Sequence, residues 1–459
     1  MPARHRARGL AAAFLAAAAL AAGAAPAAAR DHVLTLKGAD APGPARLDTV
    51  KVLQMGPKSA THVLVLEPGT SAGAPYFRPI AHDILARLRG WQIWSVERRE
   101  NGLEDHSVLR RALERKLSVQ RLFDYYLGWI GRTSPGRHFE PVTDASAAYV
   151  KRWGLAVAMA DLHRVIAAAR RGGRTVVLGG HSLGGAMTTA YATWDFGGRA
   201  GARNLAGLVF IDGAGGSSRR RLPTAAQARR SLADLNASSA SPFLTLVLGP
   251  WEAGVFNAVG SAAARLAPRA PSVLGAWGLL PGILRTPGPA TNRGGYGYAV
   301  DTQTSPESLA LVQMHIGRLA GSGSPRDWVD GELGTVGRAA QLFSGIPAMD
   351  GSSWYHPLRL SIDAGAIDNG IRNSAQRVLR DRTTHGRDVH LPMYAIETSL
   401  GAGHVLRSVR ALARRSRVPR RKLVLVDRHT SMAHIDPLVD IPRRNAFLKT
   451  VVPFLKRIR

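Results

Sequence analysis

The sequence RTVVLGGHSLGGAMTTAYA at residues 174–192 decides the predicted fold. An apolar run at 176–178 ends in glycines and leads into Ser182, which stands in a Gly-x-Ser-x-Gly pattern. The apolar run predicts a buried strand, and the small residues after the serine predict a helix. Gly180 and Gly184 lack Cβ atoms, so the chain can reverse sharply and expose the Ser182 hydroxyl above the sheet edge. We therefore interpret Ser182 as a candidate nucleophile.

Strands and helices are predicted to alternate on both sides of this corner. The segment THVLVLEPG at 61–69 is almost continuously apolar, which is typical of a parallel strand buried on both faces. The segment at 147–171 predicts an amphipathic helix, with apolar residues spaced by four, three and four. The same alternation returns at 391–459. The predicted fold class is α/β, with a mostly parallel central sheet flanked by helices.

The alternation is interrupted between 214 and 390 by a long segment rich in glycine and proline. We interpret it as a large, mainly helical cap inserted between a first core part, 30–213, and a last core part, 391–459. Large apolar side chains between 242 and 284 line a pocket or form the cap's own core; they are Phe243, Trp251, Phe256, Trp277, Leu279, Leu280 and Ile283. Tyr298, Trp354 and Tyr355 have the same two interpretations.

The first 29 residues have the features of a secretory signal. Three arginines precede an apolar stretch at 10–22, and small residues end the segment at Ala29. We expect cleavage after Ala29 and a secreted or envelope-associated protein, with an uncleaved anchor helix as the alternative. No later stretch is apolar and long enough to span a bilayer.

The composition narrows the chemistry and the partners. The chain of 459 residues contains no cysteine, which excludes disulfides, thiol nucleophiles and cysteine-ligated zinc. Its net charge of +29 falls to +26 after signal cleavage, because three arginines and no acids are removed. The arginines are scattered, so we expect electrostatic attraction to an anionic cell envelope rather than to nucleic acid. The alternative is that the positive charge reflects a high arginine content on solvated faces and attracts no particular partner.

The serine corner, in its strand and helix context, resembles the nucleophile elbow of the α/β-hydrolase superfamily, particularly its exported bacterial members. The resemblance covers 33–212 and 391–459. It implies an oxyanion hole formed by the backbone N–H of Leu183 and by a second N–H in the loop after LEPG. Thr70 takes that second position, with Ser71 as the alternative.

The resemblance also implies a histidine base after the last strand and an acid after an earlier strand. Of the two histidines in DRHTSMAHIDPL, His434 is favoured over His429, which follows the strand too closely. Glu397, at the end of LPMYAIE, is the favoured acid, and Asp212, at the end of LVFID, is the alternative. The order Ser182, Glu397, His434 matches the superfamily order of serine, acid and histidine.

These residues imply an exported serine hydrolase that cleaves an acyl bond, most simply a carboxylic ester, in a small-molecule or lipid substrate. The implied chemistry requires neither a metal nor an organic cofactor. A peptidase and an extracellular acyltransferase would use the same residues. A non-catalytic envelope protein that binds apolar ligands is the alternative from a different class.

Overall fold

A central sheet of eight strands organises the fold. The structure is a computed structural model, which describes residues 31–134, 136–217, 221–245 and 249–458. The expected signal segment, 1–29, lies outside the described residues. The strands are β1 His32–Lys37, β2 Thr49–Met55, β3 His62–Glu67, β4 Trp91–Glu97, β5 Thr175–His181, β6 Gly207–Ile211, β7 Arg318–Leu319, β8 Trp328–Val329, β9 Met393–Glu397 and β10 Leu423–Asp427. The short strands β7 and β8 form a separate antiparallel pair.

The strand order in the large sheet is β1-β2-β4-β3-β5-β6-β9-β10. Strand β2 runs antiparallel to both of its neighbours, and every pair from β4 to β10 is parallel. The expected mostly parallel sheet is therefore confirmed. Because the parallel strands all point the same way, the residues that follow β3, β5, β6, β9 and β10 meet at one edge of the sheet.

Both faces of the sheet are buried, which explains the continuous apolar strands. In β3, Val63 and Val65 belong to one hydrophobic cluster while Leu64 and Leu66 belong to another. Helices α1 Arg78–Leu85 and α14 Ala446–Leu455 pack on the leucine side. Helices α4 Leu155–Ala169, α5 Leu183–Thr193 and α12 His404–Arg415 pack on the valine side.

The remaining helices belong to connecting segments. They are α2 Ser107–Leu113, α3 Val119–Phe123, α6 Ala225–Asn236, α7 Glu252–Leu266, α8 Asn292–Val300, α9 Val336–Ser344, α10 Leu358–Gly365, α11 Ser374–Leu379 and α13 Asp436–Val439. Six of them, α6 to α11, lie between β6 and β9 together with β7 and β8. No helix in the described part of the chain is both long and apolar enough to cross a membrane.

The amphipathic helix expected at 147–171 starts later than the pattern indicates. A short 3-10 turn, Ala148–Arg152, precedes Gly154, and α4 begins at Leu155. A Cβ atom on Gly154 would lie 2.1 Å from Asp363 Oδ2, which accepts a hydrogen bond from the Leu155 N–H at 2.9 Å. The carboxylate of a distant helix thus fixes where α4 begins.

Candidate active site

Ser182 lies on the sharp turn between β5 and α5, with φ 55° and ψ −121°. This backbone conformation is rare for a residue with a side chain, and the surrounding packing maintains it. A Cβ atom on Gly180 would lie 2.2 Å from the Gly184 backbone, and one on Gly184 would lie 2.0 Å from the Glu67 carbonyl oxygen. Only glycine fits at these two positions, so the sequence pattern has a direct steric cause.

A buried histidine–aspartate pair lies beside this turn. His434 Nδ1 is 2.6 Å from Asp212 Oδ2, and both side chains are at most 2% exposed. Asp212 directly follows β6 and has φ 42°, while His434 lies in the loop after β10. Because Nδ1 faces the carboxylate, Nε2 is the ring nitrogen that is left to exchange a proton with another group.

Thr398 holds the Asp212 carboxylate from its other side. The Thr398 backbone N–H donates to Oδ1 at 2.8 Å, and its hydroxyl donates to Oδ2. Burial alone would raise the pKa of Asp212, but the hydrogen bonds from His434 and Thr398 hold that pKa below its usual value. The carboxylate therefore stays charged and fixed in orientation.

Glu397 takes a different position from the one preferred from the sequence. Its carboxylate accepts backbone hydrogen bonds from Val405 and Leu406, at 3.1 and 3.3 Å, in the first turn of α12. An acid at a helix N-terminus is stabilised by the unpaired N–H groups there. In the structure, the partner of His434 is therefore Asp212, the alternative acid, and not Glu397.

His429, the alternative to His434 in the sequence, lies apart from the His434–Asp212 pair. His429 is 44% exposed, and its Nδ1 lies 2.6 Å from Asp427 at the end of β10. His434 instead lies against His181, the residue before Ser182 in the chain. The His181 Nε2–H donates to the His434 carbonyl oxygen at 2.9 Å, and the two rings are 4.3 Å apart.

His181 is itself held neutral. The Tyr76 hydroxyl donates to its Nδ1 at 3.1 Å, and the side chain is fully buried. Burial, together with the neighbouring His434, lowers the pKa of His181 to about 3. A neutral ring in this tautomer fixes the backbone of the loop that carries His434.

The loop after β3 passes beside Ser182 and carries Thr70. Ser182 and Leu183 line a cavity of about 540 Å³ together with Thr70 and Asp212. Leu183 is the first residue of α5, so its N–H has no acceptor within the helix. Ser71, the alternative to Thr70, uses its carbonyl oxygen to accept a hydrogen bond from Ser353 at 2.8 Å.

Buried Arg98 braces the same loop. Its guanidinium donates to the carbonyl oxygens of Pro68 and Gly69, both at 2.9 Å, and to that of Ala72 at 3.4 Å. A further bond to Glu100 at 2.7 Å holds the guanidinium in place. Because these carbonyls flank Thr70 in the chain, Arg98 limits the positions that the Thr70 N–H can adopt.

Comparison with solved structures shows the fold of the chain. A candidate lipase from Sulfolobus solfataricus is similar over 94% of both chains, with 13% identity and a TM-score of 0.50. The chain has the α/β-hydrolase fold. Epoxide hydrolase A from Mycobacterium thermoresistibile has 13% identity and a TM-score of 0.43, covering 94% of this chain and 99% of its own. A thermophilic esterase from Thermogutta terrifontis has 11% identity and a TM-score of 0.38, covering 93% and 99%. No protein-family model and no curated protein sequence matches the chain.

A second, largely apolar cavity joins the first at the sheet edge of this α/β-hydrolase fold. It has a volume of about 340 Å³ and shares Thr70 and Leu311 with the cavity that contains Ser182. Phe256 and Ile283, from the apolar segment noted in the sequence, line it together with Phe343. A largely apolar space therefore adjoins the cavity that contains Ser182.

Other apolar side chains of that segment pack instead of lining the cavity. Phe243 is 2% exposed and packs against Tyr355, with ring centroids 5.1 Å apart and the ring planes tilted by 51°. Trp354 and Tyr355 are fully buried. These aromatic residues form part of the hydrophobic cluster on the leucine side of the sheet, which extends without a break into the 214–390 segment.

Three residues around the α/β-hydrolase elbow were not singled out from the sequence, namely Arg98, His181 and Thr398. His181 is the variable residue of the Gly-x-Ser-x-Gly pattern, and Thr398 directly follows Glu397. Both stand at ends of predicted strands, and that position is the available sequence signal. Their roles depend on partners 253 and 186 residues away in the chain.

Proposed function

We propose that the protein is a serine hydrolase that cleaves carboxylic esters with an apolar acyl group. The observation that carries this proposal is the position of Ser182, on a strained turn beside the buried His434–Asp212 pair. An isolated serine hydroxyl is a weak nucleophile, and a neighbouring base with an oriented tautomer removes that limitation. We propose Ser182, His434 and Asp212 as nucleophile, base and orienting acid.

In the proposed reaction, Ser182 Oγ attacks the ester carbonyl carbon while His434 Nε2 accepts the hydroxyl proton. The tetrahedral intermediate collapses when its bond to the leaving oxygen breaks, and His434 donates its proton to that oxygen, which departs as the alcohol. A water molecule then attacks the acyl-serine ester and transfers a proton to His434. The acid leaves, the proton returns to Ser182, and Asp212 stabilises the imidazolium in both halves of the reaction.

The backbone N–H groups of Thr70 and Leu183 are proposed to hold the negative oxygen of each tetrahedral intermediate. Donors fixed before the reaction cost no reorganisation when charge develops. The loop carrying Thr70 is braced by Arg98, and the Leu183 N–H is aligned with the start of α5. The two donors therefore come from rigid elements on opposite sides of Ser182.

The apolar cavity supports the substrate class. Hydrophobic side chains line most of it, and Thr70 connects it to the cavity that contains Ser182. An acyl chain whose carbonyl is held at Thr70 would extend into this space and remove apolar surface from water. The side that opens toward Leu222 and Gly365 is left for the leaving alcohol.

The first test is hydrolysis of p-nitrophenyl esters of graded acyl length by the wild type and Ser182→Ala. We expect turnover by the wild type and a loss of about 10⁴-fold or more in the variant. A matched control is Ser239→Ala, which should keep wild-type turnover because Ser239 is exposed and lies outside the cavity. Labelling with a fluorophosphonate, followed by intact mass, should add one adduct to wild type and none to Ser182→Ala.

The outcomes separate the alternative classes. Ester turnover that is retained in Ser182→Ala would contradict the assigned nucleophile. Apolar ligand binding with neither turnover nor labelling in the folded wild type would favour a non-catalytic binding protein. Circular dichroism of both proteins shows whether a loss of activity reflects chemistry or misfolding.

A further inference from the structure

A second group of ionisable side chains lies behind the loop that carries Thr70. Glu104 and His106 follow β4, and Asp350 comes from the 214–390 segment between α9 and α10. We refer to these three residues as the Glu104 cluster. Within the described ranges it is the one group of three or more histidine and acidic residues whose ligand atoms all lie within 4.8 Å of one another.

The distances in the Glu104 cluster suit a shared metal ion. His106 Nε2 lies 2.9 Å from Glu104 Oε2 and 3.6 Å from Asp350 Oδ2. Nitrogen and oxygen ligands about 2.0–2.2 Å from a tetrahedral ion are about 3.3–3.6 Å apart. The two nitrogen–oxygen distances are therefore within about 0.4 Å of this range, and the separation of the two carboxylate oxygens is at most 4.8 Å.

Two of these ligand atoms are buried without a hydrogen-bond partner. Glu104 has a fully buried side chain, yet its Oε2 accepts no hydrogen bond, and the Nε2 of His106 is also unpaired. Their 2.9 Å contact does not have hydrogen-bond geometry. A buried polar atom without a hydrogen-bond partner is costly, so these two adjacent atoms point to a ligand that contacts both.

The other atoms of these side chains are held in place. Glu104 Oε1 accepts a hydrogen bond from the Trp354 backbone N–H at 2.7 Å, and Asp350 Oδ2 accepts one from the Trp354 indole at 2.9 Å. Asp350 Oδ1 accepts from the Ser352 N–H at 2.6 Å. Such outer contacts orient ligand groups before a metal binds.

The charge balance points in the same direction. Glu104 and Asp350 are both fully buried, and within the described chain their one ion-pair partner is His106. The carboxylate of Glu97 lies nearby and is bonded to the Ala74 N–H. A divalent cation would bring these buried carboxylates positive charge beyond that of the single imidazole.

We propose that Glu104, His106 and Asp350 bind one divalent transition-metal ion of the Zn²⁺ or Mn²⁺ type. One imidazole with carboxylates favours these ions over Ca²⁺ and Mg²⁺, which prefer oxygen ligands alone. The role is structural. Asp350 begins the stretch that pairs with the 71–73 loop, where the Gly73 N–H donates to the Gly351 carbonyl oxygen at 3.0 Å. The ion would fasten this stretch to the residues after β4.

The test uses the purified protein after removal of metals by a chelator and dialysis. Titration with ZnCl₂ or MnCl₂ should show one bound equivalent by calorimetry. The midpoint of thermal unfolding should rise by about 3 °C at a hundredfold excess over Kd. His106→Ala and Glu104→Gln should each lose both effects. His429→Ala, which removes an exposed histidine also paired with an aspartate, should keep them.

The readouts do not depend on ester hydrolysis, so this proposal and the proposed function can fail separately. Stabilisation that survives in His106→Ala and Glu104→Gln, or that Ca²⁺ alone provides, would overturn the site. The same conclusion follows if the stripped wild type neither binds nor is stabilised by Zn²⁺ and Mn²⁺. If His106→Ala does not fold, Glu104→Gln decides the matter, because the amide keeps the shape of the side chain.

Discussion

His434 reaches across the sheet edge to Asp212, with 2.6 Å between Nδ1 and Oδ2, although the two residues are 222 positions apart in the chain. Both side chains are buried, and the carboxylate is held by Thr398 as well. This pair decides which ring nitrogen of His434 is left for the proposed chemistry. It also selects Asp212, the alternative acid of the sequence analysis, over Glu397, which the sequence favoured.

Asp212→Asn should lower kcat for ester hydrolysis by about 10³–10⁴-fold, because an amide no longer stabilises the imidazolium or selects its tautomer. The matched control is Glu397→Gln, which changes the neighbouring acid in the same way. That variant should lower the unfolding temperature by weakening the start of α12, and kcat should change by less than about tenfold. A large loss of kcat in Glu397→Gln together with a small loss in Asp212→Asn would show that Glu397 is the acid.

Arg98→Lys should reduce kcat by about 10–100-fold with little change in KM, because lysine cannot bond several carbonyl oxygens of the Thr70 loop at once. Arg99→Lys is the matched control, since Arg99 is equally buried but bonds Asp161, Asp48 and the Ala39 carbonyl oxygen. Both variants should be less stable. Equal kcat losses in the two variants would show that loss of stability alone explains the effect.

His181 should make the protein sensitive to acid. Its pKa is about 3 in the fold and near the ordinary histidine value when unfolded, so the unfolded chain binds more protons between these values. The free energy of unfolding should therefore fall as pH falls below about 6.5. The contribution of His181 between pH 7 and pH 5 is about 2 kcal/mol.

His181→Gln should be less stable at pH 7 but should lose that part of the pH dependence. Chemical denaturation at a series of pH values, compared between the wild type and the variant, measures the difference directly. Taking the difference cancels the contributions of the other buried groups. Parallel stability–pH curves for the two proteins would show that His181 does not stay neutral in the fold.

Ala253→Phe should shorten the preferred acyl chain, because Ala253 lines the apolar cavity and a phenyl ring would occupy part of it. Activity on the shortest p-nitrophenyl esters should stay within about threefold, while activity on long esters should fall by about tenfold or more. Ala226→Phe, on the exposed side of α6, is the control. A chain-length profile unchanged by Ala253→Phe would place the acyl group elsewhere.

Moderate salt should release the protein from cells if the net charge of +26 expected after signal cleavage (+29 less three arginines) holds it to an anionic envelope. About 0.5 M NaCl shortens the Debye length to a few ångströms and screens such attraction. Sucrose of equal osmolarity is the control for osmotic release. Retention of the protein on washed cells in both solutions would argue against electrostatic association.

The sequence by itself determined the strand–serine–helix corner and the layers around it. Gly180 and Gly184 could be assigned their steric role because the colliding groups are close in the chain or lie on the adjoining strand. The apolar strands indicated burial on both faces for the same local reason. The sequence also predicted that the polar residues at the strand ends meet at one edge of the sheet, because parallel strands share a direction.

Only the tertiary structure decided which groups touch at that edge. Glu397 ends β9 and Asp212 follows the neighbouring strand β6, and a Cβ on Gly401 would lie within 3.0 Å of both carboxylates. Their different roles depend on how α12 begins and where the His434 loop returns. Arg98 likewise meets the Thr70 loop about 29 residues away. Such contacts arise from packing between distant segments, so no local pattern records them.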